Sequence, residues 1–223
     1  MGRVEDRELP EGLELRRDES GLALAGAGLV LRGDFVRLLP RVRQDRLAHE
    51  LLVRAARVRG VAHPRIVDAT AGLGEDSFLL AAAGAAVLLC ERDPVVAALL
   101  SDALSRAQAD PRTRDVACRM RLHEGDSCAL LASLDTAPDV VYLDPMFPER
   151  RRRAATNKKL QLLQRLEPPP SNETALFDAA LAAGPRKVVV KRPLKGPALA
   201  GRKPSASLSG KVVRYDIYVP SRA

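Results

Sequence analysis

The segment Tyr142-Leu143-Asp144-Pro145-Met146-Phe147-Pro148 holds the residue types and spacing most suited to chemistry. An exocyclic amine on a nucleobase is a poor nucleophile, because its lone pair is delocalised into the ring. An enzyme that alkylates it must hold the NH₂ with two acceptors, a carboxylate and a backbone carbonyl, so that the lone pair points at the donor carbon. Asp144 and the Pro145 carbonyl are spaced for this. Pro145 adds stiff backbone with no donor of its own, and Phe147 offers a flat face on which an extruded base stacks. The bland alternative is a proline-rich turn leaving a central strand.

A second constellation is Asp68-Ala69-Thr70-Ala71-Gly72-Leu73-Gly74-Glu75-Asp76-Ser77. Gly72 and Gly74 let the backbone turn tightly before a helix N-terminus and approach a ligand closely. A dinucleotide fingerprint wants a third glycine where Ser77 stands, and a pyrophosphate is repelled by Glu75 and Asp76. Those acids suit a cation. S-adenosylmethionine (SAM) carries a sulfonium and an α-ammonium and no phosphate, so the loop fits it better than NAD; a purely structural glycine turn is the alternative. Glu91, 17 residues after Gly74, stands at a strand end where a carboxylate accepts from both ribose hydroxyls. Arg92 either pairs with Glu91 or covers the adenine. Asp126 can accept from an adenine amino group, and Ser127 can cap the next helix, although capping alone would account for Asp126-Ser127.

Charge is distributed unevenly. Residues 1–148 hold 19 Lys+Arg against 23 Asp+Glu, net −4, and residues 149–223 hold 17 against 5, net +12. Arg150, Arg151, Arg152, Arg153, Lys158 and Lys159 follow the Asp144 segment directly, and Arg165 comes soon after. A basic stretch at the mouth of a base pocket would hold the phosphates flanking a flipped nucleotide. Lys191-Arg192-Pro193-Leu194-Lys195 and Arg202-Lys203 can extend that surface. The alternative is a solvated basic loop. Aromatics make up only 3% of the chain, which argues against a base-stacking platform. His49, His63 and His123 lack metal-ligand spacing, and Cys90, Cys118 and Cys128 form neither a disulfide framework nor a zinc motif. No metal and no membrane partner is expected. No apolar run approaches the roughly 20 residues of a membrane span and the N-terminal residues lack a signal-like stretch, so the expected location is the cytoplasm.

Positioning these residues calls for alternating strands and helices. Arg65–Ala69, Ala86–Cys90, Arg119–His123, Asp139–Leu143, Lys187–Lys191 and Val212–Val219 read as strands. Helices are expected at Glu75–Ala83, Asp93 to about Gln108, Ala129–Leu134 and Asn172–Ala183, with a short one near Lys158–Leu166. An amphipathic helix is expected over Gln44–Arg59. The pattern predicts an α/β fold with a doubly wound, mostly parallel sheet, in which ligands bind beyond the carboxyl ends of the strands. Before it, Leu13–Leu15, Leu22–Leu24 and Leu29–Leu31 are separated by turn residues and read as a hairpin or meander. The expected organisation is a small β appendage over residues 1–40 and a catalytic domain over 41–223.

These segments resemble the small-subunit ribosomal RNA guanine-N2 methyltransferase J family. The resemblance is carried by Asp68–Gly74, Glu91–Leu100, Val140–Pro148, Val188–Pro193 and Tyr215–Tyr218. It implies a Rossmann-like class I methyltransferase sheet and a SAM-dependent enzyme that methylates the N2 amine of one guanine in small-subunit ribosomal RNA, alone or within the subunit. It also implies cofactor contacts from Glu75, Asp76, Glu91, Arg92, Asp126, Ser127 and Asp144. Two other readings stay open from the residues: an amino-methyltransferase acting on DNA or protein glutamine, and a non-catalytic RNA-binding assembly factor with the same fold.

Overall fold

Most of the runs expected as strands have no polar face, as strands covered by helices on both sides must, whereas the run that forms an edge strand alternates with exposed Arg121 and His123. The computed structural model describes residues 9–145, 162, 166 and 172–220. There these runs form β4 (Arg65–Asp68), β5 (Ala86–Glu91), β6 (Met120–Glu124), β7 (Val140–Leu143) and β8 (Lys187–Pro193) of one seven-stranded sheet. Two further strands, β9 (Ala206–Ser209) and β10 (Val213–Tyr218), complete it in the order β6-β5-β4-β7-β8-β10-β9. The first five strands are parallel, and β10 runs antiparallel to both neighbours. The chain winds outward from β4 to β6, then returns to β7 on the other side of β4. The crevice between the carboxyl ends of β4 and β7 is therefore the topological switch point, where doubly wound sheets bind ligands.

Strand alternation sorts the core into two layers. Ile66, Val87, Leu89, Val140, Tyr142 and Val189 face α3 (Leu51–Ala56), α4 (Glu75–Ala82) and α5 (Pro94–Ala109). Val67, Val141, Leu143, Val188 and Val190 face α7 (Ser127–Ala132) and α8 (Glu173–Ala182). Phe177 of α8 is fully buried and meets Tyr218 edge-on, with ring centroids 4.7 Å apart. Truncating such a side chain to alanine costs about 3–5 kcal/mol.

Helix starts follow local chemistry. Asp93 accepts from the amides of Val95 (2.8 Å) and Val96 (3.0 Å), with Pro94 at the first helical position of α5. This cap contributes about 1 kcal/mol. The single helix expected from Gln44 to Arg59 is instead two short helices, α2 (Gln44–Leu47) and α3, preceded by α1 (Leu39–Val42). Glu50 breaks the run at ψ 123°, and Arg41 donates to both of its carboxylate oxygens at 2.9 Å. α3 then stops at Ala56, where the Lys187 ammonium donates to the carbonyls of Ala55 (3.1 Å) and Arg57 (2.8 Å). These contacts from distant segments override the apolar periodicity. A one-turn helix, α6 (Arg114–Ala117), and the edge strand β9 were not expected.

The N-terminal segment forms a separate antiparallel sheet, β1 (Leu13–Asp18), β2 (Gly21–Gly26) and β3 (Leu29–Leu31), as its turn residues predict. Ala27 and Gly28 both take positive φ, the signature of a primed two-residue hairpin turn. Leu22, Leu24 and Leu31 pack on Val95 and Leu99 of α5 and on Leu162. Asp102 of α5 accepts from Arg17 at 2.6 Å and from Arg106 at 2.7 Å. The expected helix near Lys158–Leu166 lies outside the described residues apart from Leu162 and Leu166, both of which are helical.

Candidate active site

The loop after β4 is stitched to the ends of its neighbours. Ala69 N–H donates to the Tyr142 carbonyl (3.0 Å) and Ala71 N–H to the Cys90 carbonyl (3.1 Å). Ser127 Oγ donates to the Ala69 carbonyl (2.6 Å), and the Asp144 amide donates to Thr70 Oγ1 (2.6 Å). The strand ends are thus locked together around the switch point.

The two loop glycines serve different needs. Gly74 has φ 74° and caps α4; a Cβ there would lie 2.8 Å from Leu100 Cδ1 and 3.2 Å from Leu89 Cδ2. Gly72 has φ 54°, and a Cβ there would meet nothing within 4 Å. Gly74 is required by packing and backbone, whereas Gly72 borders open space into which a ligand can reach.

Carboxylates surround that space. Asp68 is buried, accepting from Ser77 Oγ (2.6 Å) and the Thr70 amide (3.1 Å). Burial pushes its pKa up to about 7, against the opposing pull of those two hydrogen bonds. Glu91 is also buried, and it accepts from the Gly72 amide through Oε2 (2.8 Å) and from the Asp93 amide through Oε1 (2.9 Å). Arg92 beside it is exposed. Asp126 is exposed and caps α7 through the Ala129 amide (2.9 Å), the role that capping chemistry alone accounts for. Glu75 pairs with Arg37 from the turn before α1.

The remaining acids form a buried ionic network. Lys191 Nζ lies 2.7 Å from Asp76 Oδ2 and 2.9 Å from Asp144 Oδ2. Tyr142 OH donates to the same Asp76 oxygen at 2.7 Å. Burial pushes the Asp76 carboxyl up, but the Lys191 charge and the hydrogen bonds from Lys191 and Tyr142 outweigh it and hold the pKa below the ordinary value. Burial likewise pushes the Tyr142 phenol well up, helped by the Asp76 charge. Asp144 Oδ1 is buried and has no hydrogen-bond partner among the described residues. Pro145 beside it is buried.

The structure therefore gathers Gly72, Gly74, Asp76, Glu91, Ser127, Asp144 and Pro145 about the switch point. Phe147, Arg150, Arg151, Arg152, Arg153, Lys158 and Lys159 lie outside the described residues. Two residues assigned by sequence to an outer basic surface are placed differently. Lys191 is 18% exposed and ion-paired inward, and Arg192 is 2% exposed, its Nε donating to the Pro197 carbonyl at 2.8 Å. β8 is covered on both faces and on both edges, so its side chains turn inward. Asp68, Thr70, Ser77 and Lys191 were missed as site residues. The signal for Lys191 was a cation directly continuing the apolar run Val188-Val189-Val190.

The donor set fits SAM: a glycine turn beside open space, a carboxylate at the end of β5, and an acidic surround for a cation. Residues 11–220 match the family described as "Putative SAM-dependent methyltransferase". Ribosomal RNA small subunit methyltransferase J of Pseudomonas aeruginosa is 48% identical over 175 residues, which span 78% of this chain and 67% of that one. The protein of the same name from Neisseria meningitidis is 42% identical over 206 residues, spanning 91% of this chain and 82% of that one. A solved SAM-dependent methyltransferase from Neisseria gonorrhoeae superposes with a TM-score of 0.78 at 36% identity, covering 97% of this chain and 86% of that one. The strand-end chemistry and these relatives lead to one assignment: the chain belongs to the ribosomal RNA small subunit methyltransferase J family of SAM-dependent methyltransferases.

Proposed function

We propose that this chain methylates the exocyclic N2 amine of a guanine in small-subunit ribosomal RNA. The observation that carries the reading is Asp144 Oδ1, a buried carboxylate oxygen without a partner among the described residues, at the switch point of a SAM-dependent methyltransferase sheet. A buried acceptor left unmade costs about 1–3 kcal/mol, and an amine donor on the substrate would satisfy it. The names of the relatives support the RNA, and the acceptor geometry supports an amine over a hydroxyl or ring carbon.

Bound SAM supplies an electrophilic methyl group on a sulfonium. Gly72 and Gly74 shape the turn that receives it, Glu91 takes its ribose hydroxyls, and Glu75, Asp76, Arg92, Asp126 and Ser127 complete the surround in this reading. Asp144 Oδ1 and the Pro145 carbonyl accept the two N–H groups of the amine, which directs the nitrogen lone pair at the methyl carbon. The nitrogen becomes strongly acidic as the new N–C bond forms, so Oδ1 takes one of its protons and passes it to solvent. Phe147, two residues after Pro145, supplies the stacking face for the base. Arg150, Arg151, Arg152, Arg153, Lys158 and Lys159 hold flanking phosphates in this reading.

Mass spectrometry of ribosomal RNA nucleosides from cells with and without the gene tests the assignment. One N2-methylguanine should disappear from the small-subunit RNA and return when the gene is restored. Unchanged methylguanine with loss of another methylated base would replace the guanine-N2 assignment.

A further inference from the structure

We propose that Lys191 is a positioning residue for methyl transfer: it grips Oδ2 of Asp144 so that Oδ1 stays turned toward the acceptor amine. The proposal rests on the reading of Asp144 given above and adds to it the group that orients the carboxylate. β7 and β8 run parallel with Leu143 opposite Val190, so the next residues along, Asp144 just past the end of β7 and Lys191 still within β8, stand side by side. The Asp144 backbone is tied to Thr70 Oγ1 at 2.6 Å, and its Oδ2 is held by Lys191 Nζ at 2.9 Å. With main chain and one oxygen both fixed, the carboxylate plane is set, and Oδ1 is left buried without a partner among the described residues.

Lys191 is itself held. Its ammonium also contacts Asp76 Oδ2 at 2.7 Å, the oxygen that accepts from Tyr142. Its strand partner across β10 is Tyr215. Burial pushes the ammonium toward losing its proton, but the Asp144 and Asp76 charges outweigh this and leave it charged beyond the ordinary lysine range. A phosphate contact is the other use for a cation near an RNA site. A side chain only 18% exposed, with two carboxylates already on its ammonium, is poorly placed for one, because those carboxylates repel a phosphate and satisfy two of the three N–H donors.

The test is a double-mutant cycle on single-turnover methylation, with SAM and small ribosomal subunits from cells lacking the gene, both saturating. Lys191→Met should lower the rate about tenfold or more, while SAM affinity by calorimetry and subunit affinity each weaken by no more than about threefold. Lys191→Arg, which keeps the cation, should recover most of the loss. In an Asp144→Ala background, which removes both oxygens, Lys191→Met should cost nothing further, because the residue acts through the carboxylate. Lys191→Gln is assayed alongside, and thermal melting establishes that each variant is folded at the assay temperature. An unmodified rate in Lys191→Met, or the same fractional loss in both backgrounds, overturns the role of Lys191 alone. A near-normal rate in Asp144→Ala, which leaves no side-chain acceptor at this position, removes the acceptor reading and this proposal together.

Discussion

The carboxylates on the two sides of the switch point are treated in opposite ways. On the glycine-loop side, Asp68, Glu91 and Asp126 are engaged by the chain itself, through the amides of Thr70, Gly72, Asp93 and Ala129 and the hydroxyl of Ser77. On the β7 side, Asp144 is clamped through its backbone and one oxygen, while the other has no partner among the described residues. The first group builds the shape of a pocket. The second, in the proposed reading, holds back an acceptor for a substrate. Binding and turnover should therefore separate along this line.

The sharpest break would come from Asp144→Ala. Removing one preorganised polar group predicts a fall in single-turnover rate on the order of 10²–10³, with SAM affinity by calorimetry little changed. A variant that lost cofactor affinity and kept its rate would place Asp144 with the other side.

Asp68→Asn probes the interior of the glycine-loop side through pH. The carboxyl titrates near its ordinary 3.8 when unfolded and at about 7 when folded. Between those values the folded state binds more protons, so this group's contribution to stability falls as pH rises from about 4 to about 7 and is flat above. Chemical denaturation across that range should show the unmodified protein losing ground to Asp68→Asn by on the order of a few kcal/mol. Parallel curves would mean that Asp68 stays ionised in the fold.

Glu91→Ala should leave the Gly72 and Asp93 amides without their carboxylate, at a cost of about 1–3 kcal/mol in unfolding free energy. SAM affinity should fall, and the rate at saturating SAM should stay within a few-fold of normal. A rate defect that saturating cofactor cannot repair would blur the division between the two sides.

The smallest effect concerns the basic segment that follows Asp144 in the sequence. Replacing Arg150 to Arg153 together by alanine should lower the magnitude of the salt slope of RNA binding by roughly 0.7–0.9 for each phosphate no longer neutralised. Cofactor binding should be unaffected. An unchanged slope would direct the search for the RNA footprint to the arginines between Arg37 and Arg59.

How much was legible in the sequence follows the same line. The glycine loop, the Glu91 strand end, the Asp93-Pro94 start of α5 and the Asp126 cap are local, made by residues a few positions apart, and each left its mark in the order of residues. Lys191 pairs with Asp144 and Asp76 only because β8 lies beside β7 and brings Lys191 to the start of α4, facts of sheet order that no local window contains. An apolar strand ending in Lys-Arg reads as a surface when its neighbours are unknown. The break at Glu50 has the same origin, since the Arg41 contact that accompanies it joins separate helices. β9, with the burial pattern of an exposed edge, offers too little apolar alternation to be read as a strand.

The placement of β10 bears on how the enzyme is made. Residues that form the glycine loop and its strand-end partners run contiguously from β4 to β7, so that half of the site can assemble while the chain is still being synthesised. β8 gains its second neighbour only when β10, near the end of the chain, folds back antiparallel and sets Tyr215 against Lys191. A chain interrupted before Val213 would keep the residues that shape the cofactor pocket but leave Val188, Val189 and Val190 on an open sheet edge, with Lys191 loosely held. Order of synthesis thus places the closing of this sheet edge after the glycine-loop half of the site, and a copy interrupted between β8 and β10 exposes an apolar edge open to pairing with other chains.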